Sequence, residues 1–327
     1  MTKPDITEFL DLSEEDRLSR LKKLIGKKSL SVAQISDEID VAPKHIRSLL
    51  ERLRREGFRI SDDENEITLQ QFPPTSRTIT KSLLDGDEVE IPFVSDTHLS
   101  SKECALDELN LAYDEFEERG FTEVYHAGDL TCGMGIYKTQ SQDIINHTFD
   151  DQVNYCVDNY PKRKGMKTKI ISGNHDIEGD FGKMGADPVI ATCNRRDDMD
   201  HIGTYEGTVE LINGAFFQLV HPKSGMAYAS SYPVQVFLRE IPQGRKPALI
   251  MFGHWHDHLY IEDRSVHAFK AGCFEWRGNI GKRTGRTPAV GYWIVKLRLG
   301  EDGTVVKCLP EWTRFYQGRT VKKKRRK

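Results

Sequence analysis

Cysteine is scarce and scattered in this 327-residue chain: Cys104, Cys132, Cys156, Cys193, Cys273 and Cys308 include no C-x-x-C pair. A disulfide framework and a thiolate zinc site are therefore excluded, and free thiols in a reducing compartment are expected. No apolar run approaches the ~20 residues of a membrane-spanning helix. Met1 is not followed by the basic start and apolar stretch of a secretory leader, so a cytoplasmic chain with no membrane partner is expected. Net charge is almost absent as well, with 47 Lys and Arg set against 50 Asp and Glu for a formal charge of -3. The balance conceals basic segments, "LLERLRREGFR" near the front and "VKKKRRK" at residues 321–327. A composition of 38% hydrophobic and 30% charged residues suits one large globular domain and a small one.

Residues 1–70 read as a small helical module. Leu18, Leu21, Leu24 and Ile25 recur at helical spacing before Gly26. Ser31 with Gln34 forms a capping-box pattern ahead of Val32, Ile35 and Ile39. Pro43 stands where a helix accepts its first residue, Ile46, Leu49, Leu50 and Leu53 supply the next apolar stripe, and Gly57 ends it. The stretch "FRISDDENEITL" alternates about an Asp/Asn-rich turn, as a β-hairpin does. This order resembles a winged helix-turn-helix. The face of the third helix away from the stripe carries Lys44, Arg47, Arg54 and Arg55, which suits cations near nucleic-acid phosphates; docking to a protein partner is the alternative. Residues 71–90, with paired prolines and little periodicity, read as a linker.

The chemistry is concentrated further on, where apolar strands end in polar residues. "IPFVSDTHLS" ends in Asp96 and His98, "TEVYHAGDLTCG" in Asp129, "TKIISGNHDIEG" in Asn174 and His175, and "FFQLVHPKSG" in His221. The segment "FGHWHDHLY", residues 252–260, reads as a strand on which His254 and His256 share a face while Trp255 looks inward. By the same alternation Asp96 and His98 share a face. Strand ends emerge together at one sheet edge in α/β proteins, so these residues are expected to converge. His126, His258 and Lys223 lie near the motifs with no required role.

The ordered set D-x-H, G-D, G-N-H-D, H and G-H-x-H resembles the calcineurin-like metallophosphoesterase superfamily over a catalytic domain at residues 91–320. The resemblance implies an α/β fold of four layers, α/β/β/α, with two mixed sheets face to face and a binuclear metal centre at the strand ends. One metal would be held by Asp96, His98, Asp129 and His256, the other by Asp129, Asn174, His221 and His254. Nitrogen and oxygen donors without thiolate fit Mn²⁺ first, with Fe or Zn²⁺ also compatible. His175 takes the role of steadying a phosphate oxygen or protonating the leaving oxygen, and Asp176 that of orienting its ring. Two metals would activate water for in-line attack at phosphorus.

The matching segment "GDLTCG" lacks the arginine with which phosphoprotein phosphatases of this superfamily grip a monoester, and Cys132 stands where phosphodiesterase relatives carry an acidic or other polar group. A nuclease whose winged helix and tail (Lys322, Lys323, Lys324, Arg325, Arg326 and Lys327) hold DNA or RNA is the leading expectation, with Lys282, Arg283 and Arg286 adding cations downstream. A cyclic-nucleotide-like phosphodiesterase with a regulatory winged helix, and a non-catalytic DNA-binding scaffold, are the alternatives.

Overall fold

The computed structural model describes residues 14–25, 29–55, 60–63, 66–69, 87–223, 225, 227–242, 244 and 246–318. The chain divides into two compact units, residues 1–79 with 241–246, and residues 80–240 with 247–327. Among the described residues no helix is long and apolar enough to cross a membrane. All six cysteines are free thiols.

In the first unit α1 (Glu14–Ile25), α2 (Val32–Ile39) and α3 (Pro43–Arg55) precede an antiparallel hairpin of β1 (Ile60–Asp63) and β2 (Glu66–Leu69). The capping box forms: the Gln34 N–H donates to Ser31 Oγ at 3.2 Å, and the Ser31 N–H donates to Gln34 Oε1 at 2.8 Å. Asp40, in left-handed backbone at φ 51°, ends α2, and Pro43 opens α3 where its missing N–H costs nothing. Leu21, Ile25, Ile35, Ile46, Leu53 and Ile67 fill one core. Reciprocal backbone bonds between Leu30 and Ile67, 2.7 and 3.1 Å, fasten β2 to the approach to α2. Lys44, Arg47 and Arg54 are exposed on α3. Gly26, Gly57, residues 70–86 and the tail from Lys322 to Lys327 lie outside the described residues.

The second unit runs β3 (Asp87–Val94), α4 (Leu106–Glu118), β4 (Glu123–His126), α5 (Phe149–Asn159), β5 (Lys167–Ser172), then α6 (Asn174–Ile177), α7 (Gly179–Lys183) and α8 (Pro188–Cys193). It continues with β6 (Met199–Thr204), β7 (Glu206–Glu210), β8 (Phe216–Val220), α9 (Tyr232–Glu240), β9 (Leu249–Phe252), β10 (His258–Asp263) and β11 (Val266–Ala271). Last come α10 (Asn279–Thr284), β12 (Gly291–Leu299) and β13 (Val305–Arg314). The start of β3 corrects the linker reading, because Asp87–Glu90 pair with Leu299–Lys296 of β12. A charged ladder replaces apolar alternation there, with Glu88 2.6 Å from Lys296 and 2.5 Å from Arg298.

Two mixed sheets result, ordered β13-β12-β3-β4-β5-β6 and β10-β11-β9-β8-β7. Strands β3 to β6 run parallel, as do β8, β9 and β11. Phe93, Tyr125 and Ile171 of the first sheet share a core with Phe217, Leu249, Met251 and Phe269 of the second. The Phe93 and Phe217 rings meet edge-on at 5.4 Å. The other face of the first sheet is covered by Leu109, Tyr113 and Phe116 of α4 with Cys156 of α5. On the second sheet α9 buries Val234 and Leu238 and sets Phe237 edge-on against Phe252. The parallel strands of both sheets deliver their following loops to one edge.

Candidate metal centre

The loops at that edge are not continuations of strands. β3 stops at Val94 and β9 at Phe252, so period-two alternation does not govern Asp96 and His98, or His254 and His256. All four, and Asp129, sit in left-handed backbone, with φ of 50°, 43°, 78°, 52° and 58° in that order. His254 and His256 consequently diverge into different clusters, correcting the shared-face reading, while Trp255 is buried as expected. The conformation is imposed by neighbouring loops: the Asp96 N–H donates to the Gly128 carbonyl at 3.0 Å, the His98 N–H to the Asp129 carbonyl at 3.2 Å, and the His254 N–H to Asp96 Oδ1 at 2.9 Å. Two glycines make the approach feasible. A Cβ on Gly128, itself at φ 95°, would lie 2.5 Å from His221 Nδ1, and one on Gly253 would lie 2.4 Å from the Ala127 carbonyl oxygen.

The donor atoms of Asp96, His98 and His256 lie within 4.8 Å of one another, as do those of Asp129, His221 and His254, and those of His98, Asp129 and His175 link the two groups. In the first, His98 Nε2 is 2.9 Å from His256 Nε2, and Asp96 Oδ1 is 3.4 Å from the latter. In the second, Asn174 Oδ1 joins at 3.0 Å from His221 Nε2 and 2.8 Å from His254 Nδ1. Asp129 Oδ2 lies between them, 3.2 Å from His221 Nε2 and 3.8 Å from His98 Nε2. The chemistry of this set can be tested for a cation at His221. Its Nδ1–H donates to the Ala127 carbonyl at 2.8 Å, which leaves a lone pair on Nε2. That lone pair faces the Asn174 and Asp129 oxygens, three acceptors with no donor among them, and the arrangement calls for a cation or a proton. The electrostatics agree. Burial opposes charge on His221, but the Asp129 carboxylate overrides it and raises the ring to about 9. Burial likewise opposes charge on Asp129, and His221 outweighs it, holding the carboxyl well below its ordinary range. His98 and His254 are pushed down to about 4, burial acting first in both, so their rings are neutral donors at pH 7.

Residues 89–297 match the model of the calcineurin-like phosphoesterase superfamily domain. The chain belongs to the calcineurin-like phosphoesterase superfamily. Among solved structures, an archaeal phosphodiesterase is 15% identical, with 69% of this chain and 100% of that one covered at a TM-score of 0.37. A predicted phosphoesterase of Streptococcus pneumoniae TIGR4 is 13% identical over 70% of this chain and 99% of its own, TM-score 0.33. Vps29 of Entamoeba histolytica, complexed with Zn²⁺, is 12% identical over 68% and 99%, TM-score 0.35. No curated protein matches.

In this calcineurin-like phosphoesterase the residues around the donor set differ in part from expectation. His175 Nδ1–H donates to the Cys132 carbonyl at 2.8 Å, and its ring meets that of His98 edge-on at 4.5 Å. Asp176 does not orient it. That carboxylate accepts the N–H groups of Gly173 (2.9 Å), Leu130 (3.2 Å) and Thr131 (2.9 Å) and the Thr131 hydroxyl (3.0 Å), so it clamps the turn after Asp129 to the turn after β5. Burial, then the charges of Asp129 and Asp187, raise its carboxyl to about 8 against those donors. Adjacency in sequence suggested a His175 partner, but on α6 consecutive side chains diverge. Cys132 is buried, its thiol held far from ionisation by that burial, with Sγ 3.7 Å from the His98 carbonyl.

One residue was not anticipated. Glu275 places a carboxylate oxygen 3.8 Å from His256 Nδ1, accepts the Ser101 hydroxyl at 2.6 Å, and brings a donor atom within 4.8 Å of those of His98 and Cys132. A strand (β11) followed shortly by an acid also marks Asp96, but His267 and Lys270 interrupt the apolar run of β11 and weaken that signal. Of the cations singled out in the sequence, Lys44, Arg47, Arg54 and Arg55 belong to the first unit, and Lys223 is exposed. His258 stacks on Trp312 at 4.9 Å.

Proposed function

We propose that this chain is a metal-dependent phosphodiesterase whose substrate is a nucleic acid. The observation that carries the reading is the convergence of two clusters of candidate donor atoms on the shared carboxylate of Asp129. Asp96, His98, Asp129 and His256 would hold one divalent cation and Asp129, Asn174, His221 and His254 the other, Mn²⁺ in the first instance with Fe or Zn²⁺ compatible. Such ions supply Lewis acidity toward a phosphoryl group and acidify a nucleophilic water. The protein's own part is positional: the Cys132 carbonyl fixes the Nδ1–H tautomer of His175, leaving its Nε2 to accept or deliver a proton at the leaving oxygen.

A diester is favoured over a monoester because Leu130, Thr131 and Cys132 are buried and offer no cation to a second phosphate charge. The first unit, with helices ahead of a hairpin and an exposed basic α3, supports a winged-helix assignment and a role in holding the polymer. The test is purified protein with Mn²⁺ against bis(p-nitrophenyl) phosphate, its monoester, plasmid, linear duplex, single strands, RNA and cyclic nucleotides. Hydrolysis of the diester ahead of the monoester, cleavage of at least one polymer, and loss of both in Asp129→Asn are expected. Full activity in excess chelator would remove the metal mechanism. Cleavage of cyclic nucleotides alone would replace the nucleic-acid substrate with a small one.

A further inference from the structure

Several cations of the second unit are neutralised where they stand. Arg163 pairs with Asp114 at 2.8 Å, Lys167 with Asp200 at 3.2 Å, Arg196 with Asp198 at 2.5 Å, and Lys296 with Glu88 at 2.6 Å. Around α10 the pairing is sparser. Arg283 and Arg286 are exposed with no ion pair among the described residues, and the same holds for Lys138. Lys282 reaches only a loose 3.7 Å contact with Glu103, and Lys102 Nζ donates to the Gln142 carbonyl at 2.7 Å without meeting a carboxylate. Arg277 has a buried Nε with no partner, while one Nη2–H donates to the Gly281 carbonyl at 3.3 Å.

These residues are gathered by the backbone. Gly285, at φ 74°, turns the chain back so that the Arg286 N–H donates to the Gly281 carbonyl at 3.0 Å, beside the Arg277 side chain packed on the same glycine. Asn279, at the start of α10, donates its amide to Asp143; Asp143 also accepts from the Tyr137 hydroxyl at 3.3 Å, and the Tyr137 ring lies 6.5 Å from that of His175. Two residues before Arg277, Glu275 stands beside His256. The segment that carries Arg277, Lys282, Arg283 and Arg286 is thereby tied at both Glu275 and Asn279 to residues beside His256 and His175.

A lone diester carries one charge and ends within the centre. Cations left without carboxylates along a rim have a function when the substrate brings more phosphates, each releasing counterions on contact. We infer that the site takes a nucleic-acid strand whose phosphates flanking the scissile one rest on the rim formed by Arg277, Lys282, Arg283 and Arg286. This rests on the phosphodiesterase reading and adds to it the grip on the polymer.

The experiment is fluorescence anisotropy of a labelled oligonucleotide, as single strand and as duplex, bound to the full-length protein in chelator over a range of salt. The variants are Arg283→Glu with Arg286→Glu, the same pair changed to lysine, and Lys164→Glu with Lys307→Glu as a control at exposed positions away from the rim. Rim reversal is expected to weaken binding about tenfold or more and to flatten the slope of log affinity against log salt by about 1.4 on single strands or 1.8 on duplex, two contacts' worth. The lysine pair should retain binding, and the control should match the parent protein. Equal loss in the rim and control variants, or none in either, overturns the rim while leaving polymer cleavage intact. A parent protein that hydrolyses bis(p-nitrophenyl) phosphate and neither binds nor cleaves any oligonucleotide overturns the polymer itself, with the phosphodiesterase reading standing.

Discussion

His126 makes none of the candidate metal contacts, yet it ties two of the donor loops together. The Gly128 N–H donates to its Nδ1 at 3.2 Å, so Nε2–H donates to Thr97 Oγ1 at 3.1 Å, and the Thr97 hydroxyl passes on to the Leu130 carbonyl at 3.1 Å. The chain of bonds requires a neutral ring, and burial supplies it by pushing the pKa down to about 3. In the unfolded chain a histidine protonates near about 6.5, so across the window from there down to about 3 the unfolded state holds the extra proton. Stability is then complete above that window and is lost as the pH falls through it, by up to about 1.4 kcal/mol per pH unit for this one ring. His98 and His254, held near 4, act with the same sign. Urea unfolding in chelator should give a free energy that declines from neutral pH into this range, with a shallower decline in His126→Gln than in the parent. Parallel slopes would mean that the ring is not kept neutral by the fold. Nothing in the sequence marks His126 for this task, because the partner that it reaches across to, Thr97, lies on the loop after another strand.

The candidate donors were legible because metal chemistry admits few residue types, and "GDLTCG", "GNHD" and "GHWH" each follow an apolar strand. The conformation of the loops was not, since left-handed backbone at Asp96, His98, Asp129, His254 and His256 is set by contacts between loops and not by local preference. The misread start of β3 has a similar origin, for "DEVE" is strand only because Lys296 and Arg298 stand across from it. The loop after β9 is fixed from beneath as well. Lys270 on β11 is 1% exposed, its Nζ 4.7 Å above the Trp255 ring, 2.9 Å from Ser230 Oγ and 3.7 Å from Asp257, and burial lowers its pKa. Trp255 separates His254 from His256, so this cation holds the crossing point of the two clusters. Lys270→Met keeps the bulk and removes the charge, and should cost roughly 1–3 kcal/mol through the lost ring contact and the partly buried Asp257 left behind. Denaturant titration that finds no loss would show that packing alone seats Trp255.

The candidate donors come from both sheets: Asp96, Asp129 and Asn174 follow β3, β4 and β5 of one, and His221, His254 and His256 follow β8 and β9 of the other. Metal binding at this candidate centre would therefore be coupled to folding of the whole second unit. With free Mn²⁺ at about one hundred times its dissociation constant, stability should rise by about 2.7 kcal/mol, and the melting temperature should climb with metal concentration and fall back in chelator. A melting curve indifferent to both would mean that no ion binds the folded protein. The apolar layer between the sheets, built around Phe93, Phe217 and Phe269, joins them broadly but without direction, whereas the centre joins them at one edge through fixed bonds. That makes the centre a clasp on a hinged book. With the clasp open, amide hydrogens of β8 and β9 should exchange through partial openings that leave the rest of the unit closed; with it fastened, the same amides should exchange only when everything unfolds.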